Sequence, residues 1–307
     1  MMEGISKDKF KKISIDISAG EQIARPRMTY WQDAWRRLKT NKVAMLSIII
    51  LLTIMIMTII GPYLSGFPYE EINPAKINIK PNSEHWFGTD ELGRDVFSRV
   101  WQAGRISMVI GIVGALIATV VGSIYGAVAA YFGGKVDTIM MRIVEILMSV
   151  PYLIIVILIS IITETRSIGT LLVSLTLTGW CGMARLVRGQ MLQLKQQEYI
   201  MAAEALGVSP WKIITRHLIP NSLGIVIVAI TFDIPGYIFA ETFLSYIGLG
   251  VQPPSTSWGA LASAAQQNFI FYPHQLFFPS LMIALTMLSF TLLGDGLRDA
   301  LDPKLRQ

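Results

Sequence analysis

Glu198–Pro220 reads EYIMAAEALGVSPWKIITRHLIP, a polar island between apolar runs that are each long enough to cross a membrane. Tyr199, Ala202, Ala203 and Leu206 recur at helical spacing, and alanine and leucine are strong helix formers. Gly207 suits the left-handed conformation that stops a helix. Ser209 is placed to cap the next helix through its hydroxyl, and Pro210 fits that helix's first turn, where no N–H is needed. The second helix is expected to run from Pro210 to about Leu218 and to end near Pro220, because the residue before a proline avoids the α region. A DNA-binding helix-turn-helix has a similar spacing, but it needs a third helix to cover its back, and none is nearby.

Working outward, Val43–Ile60 is interrupted only by Ser47, Thr53 and Thr58. At ~1.5 Å per residue it covers ~27 Å, close to the ~30 Å hydrocarbon core of a bilayer. Runs of similar length follow at about 106–131, 143–163, 168–187, 222–248 and 276–294, so six transmembrane helices are expected. The composition agrees: 52% of the 307 residues are hydrophobic and 15% charged, with a mean hydropathy of +0.51. Soluble domains are roughly 45–50% apolar, without such blocks. The expected class is an all-α integral membrane protein. The lone Cys181 lies inside an apolar run, which excludes an internal disulfide.

Lysine and arginine set the orientation. With the N-terminus inside, the inner segments carry ten in 1–42, two in 133–142, five in 185–220 and three after Gly294. The outer segments carry five in 65–105, Arg166, and none in 250–275. Twenty against six places both termini and the 185–220 loop in the cytoplasm, and makes the net charge of +5 a topology signal more than a nucleic-acid one.

The expected organisation is a cytoplasmic tail over 1–28, an interfacial amphipathic helix over 29–42, a first span over 43–62 and an extracytoplasmic loop over 63–105. The remaining spans occupy 106–294, with a cytoplasmic loop at 188–220, and a cytoplasmic C-terminal tail covers 295–307. Thr29 and Gln32 have capping-box form, and Trp31, Trp35 and Leu38 share one face of the helix that follows. In the outer loop Glu84, His85, Asp90, Glu91 and Asp95 lack the tight spacing of a zinc site. The better expectation is a helix capped by Thr89, with Asp90 and Glu91 in its first turn and an Asp95–Arg99 pair. Gly114, Ala118, Gly122, Gly126 and Ala130, spaced by four, suit close packing of membrane helices within the chain. Pro151 is expected to kink the third span, and Arg185 and Arg188 to snorkel at the inner surface. Asp233, beside the helix-breaking Pro235-Gly236 pair, and Glu241 stand at membrane depth, where a carboxylate must face protein or water. They are candidates for a translocation path or a structural polar role.

Several of these stretches resemble one family. A-A-x-x-x-G at Ala202–Gly207, followed by Leu218-Ile219-Pro220, resembles the "EAA" loop of permease subunits in ATP-binding-cassette importers. Met201 stands where that family has its glutamate, His217 where it often has an aliphatic residue, and Ile219 where it has leucine. Phe87-Gly88-Thr89-Asp90 with Gly93-Arg94-Asp95, the run Gly179–Gly189, Glu241–Gly250 with Pro253-Pro254 and Trp258-Gly259, and Gly294–Lys304 are similar to the oligopeptide and dipeptide permease branch. The resemblance covers about 30–305 and is nearest to the C-type membrane subunit of an oligopeptide permease.

It implies a type I importer permease fold in a bacterial inner membrane, and import of oligopeptides, with dipeptides or nickel as alternatives. The partners implied are a homologous second permease subunit, two cytoplasmic ATPases, and an extracytoplasmic peptide-binding protein. It also implies a coupling role for Glu198, Ala202, Ala203, Glu204, Leu206, Gly207, Val208, Ser209, Pro210, Trp211 and Pro220. The chain has no G-x-x-x-x-G-K-[ST] phosphate loop, so it is expected to bind no cofactor, with ATP and Mg on the ATPases. A reading of another class is a proton-coupled carrier using Asp233 or Glu241 as relay.

Overall fold

The computed structural model describes residues 29–163 and 165–302; the expected N-terminal tail at 1–28 and the end of the C-terminal tail lie outside the described residues. Among the described residues every regular element is helical, and the only β pairing is an isolated Thr89–Asp95 bridge.

The first helix, α1 (Tyr30–Thr40), opens with the capping box: Gln32 N–H donates to Thr29 Oγ1, and Thr29 N–H donates to Gln32 Oε1 at 3.0 Å. Leu38 packs on Ala44 and Ala300, while Trp31 and Trp35 stay half-exposed beside it. Asn41 closes this helix and caps the next, its Oδ1 accepting from Val43 and Ala44 N–H at 3.1 Å each. That helix is α2 (Lys42–Ile60). Then come α3 (Val96–Phe132), α4 (Gly134–Ser149), α5 (Tyr152–Thr163) and α6 (Ile168–Lys195). The short α7 (Glu198–Ala205) and α8 (Pro210–Ile213) lead to α9 (Ile219–Tyr246), α10 (Trp258–Gln266) and α11 (Pro273–Leu301).

Among the described residues five helices are long and apolar enough to cross a membrane, or six if α4 and α5 form one span. The expected third span is therefore broken: α4 and α5 bend by 81° where Pro151 follows Val150. Proline removes a backbone donor and pushes the residue before it out of the α region, and Val150 is extended at ψ 122°.

Two other proline expectations fail in the opposite direction. The helix beginning at Pro210 does not end near Pro220. A π-helical turn over Ile214–Leu218 carries it on, Ile219 N–H reaching back to the Ile214 carbonyl, so a single 37-residue helix runs from Pro210 to Tyr246. The widened turn accommodates the ring that a regular α turn would exclude. Pro235 likewise sits inside α9 without breaking it. It costs one backbone hydrogen bond, while the buried Ile234 and Ile238 on either side hold the helix against the core.

The second span's helix starts ten residues earlier than expected. Asp95, not Thr89, is its cap, accepting from Ser98 N–H at 2.8 Å. Asp90 lies in the preceding turn, where it pairs with Arg94 at 2.7 Å and faces Arg99 at 3.4 Å, so the expected Asp95–Arg99 pair is not formed. His85 Nδ1 lies 2.9 Å from Asp95 Oδ1, both side chains almost completely buried. Nearby, a hydrogen bond from Lys76 holds the exposed Glu84 carboxyl below its ordinary pKa. Within the expected C-terminal tail, α11 continues as helix through 295–301.

The core is centred on α3, which packs along α6 and α9. Gly122 and Gly126 set the α3–α6 approach: a Cβ at Gly122 would lie 2.6 Å from the Trp180 carbonyl oxygen, and one at Gly126 would overlap that of Ala184. Trp258 of α10 is completely buried and donates its indole N–H to the Val100 carbonyl at 2.9 Å.

Candidate functional sites in the loop and the membrane core

The Glu198–Trp211 segment is a two-faced corner. Its inner face is Ile200, with Ile213, Ile214 and Leu218 just beyond, all essentially unexposed against Ala127 and Ala130 of α3 and Met183, Val187 and Met191 of α6. Its outer face leaves Leu206 83% and Trp211 59% exposed. Exposed apolar groups on a firmly seated segment are what a docking surface requires.

The corner between the two short helices is built from backbone. Gly207 has φ +74°; Val208 N–H donates to the Ala203 carbonyl at 3.1 Å and Gly207 N–H to that of Glu204 at 2.9 Å. This is the Schellman arrangement. Ser209 takes the cap position of α8, but its hydroxyl makes no capping bond. Its carbonyl accepts the helix's first backbone bonds, from Lys212 at 3.0 Å and Ile213 at 3.1 Å, and Pro210 removes one orphan donor. Glu198, Ala202, Glu204, Pro210 and Trp211 are exposed around the corner, and Ala203 and Val208 half-buried. Pro220 stands apart from this group, one π turn into the long helix.

The two membrane-depth carboxylates have different surroundings. Glu241 is completely buried, accepting from Ser245 Oγ at 2.6 Å and from Ser107 Oγ of α3 at 2.8 Å. Ser107 in turn accepts from Trp258 N–H at 3.2 Å. Glu241 thus joins α3, α9 and α10. Asp233 is half-buried and lines a cavity of about 280 Å³ between α5, α6 and α9. Sequence reasoning missed both the Ser107 partner and the ion pair that α4 makes with α6, where Arg188 grips Asp137 with two 2.5 Å hydrogen bonds rather than snorkelling. Neither partner is a sequence neighbour, so only the charge itself signalled them.

With this geometry in place, the chain matches the model of the binding-protein-dependent transport system inner membrane component over residues 118–307. It also matches the N-terminal transmembrane domain of oligopeptide transport permease C over residues 29–81. The chain belongs to this permease family. It is 49% identical to a dipeptide transport system permease protein of Bacillus subtilis, over 94% of this chain and 90% of the relative. It is 43% identical to an oligopeptide transport system permease protein of the same organism, over the full length of both. The oligopeptide permease protein of Escherichia coli K12 is 45% identical, over 89% of this chain and 91% of its own.

Among solved structures, a chain of the methionine ABC transporter MetNI, in inward-facing conformations, superposes with a TM-score of 0.54. The match is 20% identical and covers 66% of this permease and 94% of that chain, which speaks for the fold alone. The expectation of a permease is therefore met. A family whose members depend on binding proteins leaves no reason to retain the carrier alternative.

Proposed function

We propose that this permease is one of two homologous membrane subunits of an ATP-driven importer of oligopeptides. In this reading it docks two cytoplasmic ATPases through Glu198–Trp211 and receives peptide from an extracytoplasmic binding protein. The carrying observation is the corner at Gly207: its inner face is locked to α3 and α6, and its outer face offers Leu206 and Trp211. Because the helix from Pro210 to Tyr246 is continuous, a push on the corner reaches the membrane core without a hinge. ATP and Mg belong to the ATPases, since this chain carries no phosphate loop.

Six spans, with α4 and α5 counted as one bent crossing, put both termini and the corner on the same side. Lysine and arginine then divide twenty inside to six outside. A re-entrant α4–α5 pair would move the corner and the C-terminus to the other side and divide the same residues thirteen to thirteen. The charge bias favours six. Dipeptides stay as the second substrate reading, because the dipeptide permease protein of Bacillus subtilis is 49% identical over 90% of its length, against 43% over the full length of the oligopeptide one.

Gentle purification of the tagged chain from its native membrane, with mass analysis of its companions, tests the reading. P-loop ATPases and a second multi-span chain are expected. Recovery alone, or as a homo-oligomer, under conditions shown to preserve such complexes would overturn it.

A further inference from the structure

Asp233 lies at the middle of the 28-residue α9, and with Glu241 it is one of only two charged residues in that helix. Glu241 is committed to two hydroxyls. Asp233 has no hydrogen bond or ion pair among the described residues. A carboxylate at that depth is costly unless it faces water or a cationic partner, and here it opens on the cavity. Two further hydroxyl-bearing residues, Tyr237 and Thr178, belong to the wall of the same space. The Tyr237 hydroxyl is buried without a hydrogen-bond partner, fixed in a notch that exists only because residue 179 is glycine. Thr178 stands in the wall beside Asp233, and Phe232 and Tyr152 supply its aromatic part. At Gly236 an added side chain would meet nothing within 4 Å and would enter open space at the cavity wall.

An unpaired carboxylate beside a threonine in a cavity wall matches an ammonium group, which has three donors and no acceptor. At about 280 Å³ the space is at the lower limit for a small-molecule site, enough for one end of a peptide and not for the whole. We infer that Asp233, with Thr178 beside it, forms a waystation for the α-ammonium group of the peptide in transit. This rests on the peptide-importer reading.

The test is uptake into proteoliposomes carrying the assembled complex and its binding protein, using a neutral peptide that the wild type carries both free and N-acetylated. Asp233→Asn is expected to slow the free peptide roughly ten- to hundredfold, the range of one charge-assisted hydrogen bond, and to leave the acetylated one within about twofold. Asp233→Glu should retain most of the rate. Gly236→Leu should slow both forms alike. An N-acetylated peptide containing lysine separates the two sources of ammonium: insensitivity to Asp233→Asn supports the α-amino assignment, and a loss equal to that of the free peptide overturns it in favour of side-chain recognition. Equal loss of the free and acetylated neutral peptides with Asp233→Asn, or loss of the sister subunit on purification, would assign Asp233 to subunit packing and overturn the proposal. No effect of either Asp233→Asn or Gly236→Leu would take the cavity off the path. A wild-type complex that carries no peptide in any form would instead sink the importer reading.

Discussion

Ser107 donates its hydroxyl to the Glu241 carboxylate at 2.8 Å, across the contact between α3 and α9. The same hydroxyl accepts from Trp258 N–H, so one oxygen links three helices. Removing the carboxylate strands two buried hydroxyls and leaves a void. Glu241→Ala should cost about 3 kcal/mol, at the upper end for a buried polar group left without partners. Ser107→Ala leaves the carboxylate one donor short and should also destabilise. Because the two share one network, the double variant should be little worse than Glu241→Ala alone. Thermal melting of the purified complex measures this, and strictly additive losses would show that the pair does not act as a unit.

At Gly207 size and strain can be separated. Its φ of +74° makes any L side chain unfavourable by about 1–2 kcal/mol, yet a Cβ there would meet nothing within 4 Å. Gly207→Ala should therefore insert normally and keep most of the uptake. Gly207→Arg carries the same strain but projects a long side chain beside Leu206, and should abolish uptake and co-purification of ATPases while the chain stays in the membrane. Equal uptake by the two variants would mean that the corner is not a docking surface.

The corner and the span lengths were legible because both rest on local chemistry. Apolar length reports a crossing, and Gly207 with Pro210 punctuates two helices whatever surrounds them. The proline rules misled at Pro220 and Pro235, because they state a local preference that a π turn and a packed core override. The start of α3 was hidden for a related reason. Thr89, Asp90 and Glu91 read as a cap and first turn with an Asp95–Arg99 pair to follow, but Asp95 takes the cap and the preceding loop folds over Arg99, leaving it 7% exposed. Glu241 and Arg188 announced a cost without naming who meets it, since their partners lie 134 and 51 residues away.

The Arg188–Asp137 pair ties the start of α4 to the C-terminal part of α6, just before the corner. The arginine is 31% exposed and the aspartate 15%, so solvent screens part of the attraction, and the pair is worth about 1 kcal/mol. Asp137→Ala and Arg188→Ala should each lower stability by that order. The exchange Asp137→Arg with Arg188→Asp should recover part of the loss, as read from melting of the complex at low and high salt. No recovery at low salt would place the cost in packing and not in charge.

His85 and Asp95 divide the work at the start of α3. One Asp95 oxygen accepts from Ser98 N–H and Oγ, both at 2.8 Å, and starts α3; the other meets His85 Nδ1. The His85 ring also holds its own loop, packing on Phe67 at 4.4 Å between ring centres, while its backbone N–H donates to Asn82 Oδ1 at 2.8 Å. Removing the ring should release the loop and leave the helix cap in place. His85→Ala is therefore expected to speed protease cleavage within 70–90 from the outer side severalfold, with little change in the amount of inserted protein. Asp95→Ala removes both functions, adding about 1 kcal/mol for the lost cap to the freed loop, and should lower the melting temperature as well. Limited proteolysis of proteoliposomes, read beside melting, separates the two effects. If His85→Ala lowers melting as much as Asp95→Ala while cleavage is unchanged, the ring supports the helix rather than the loop.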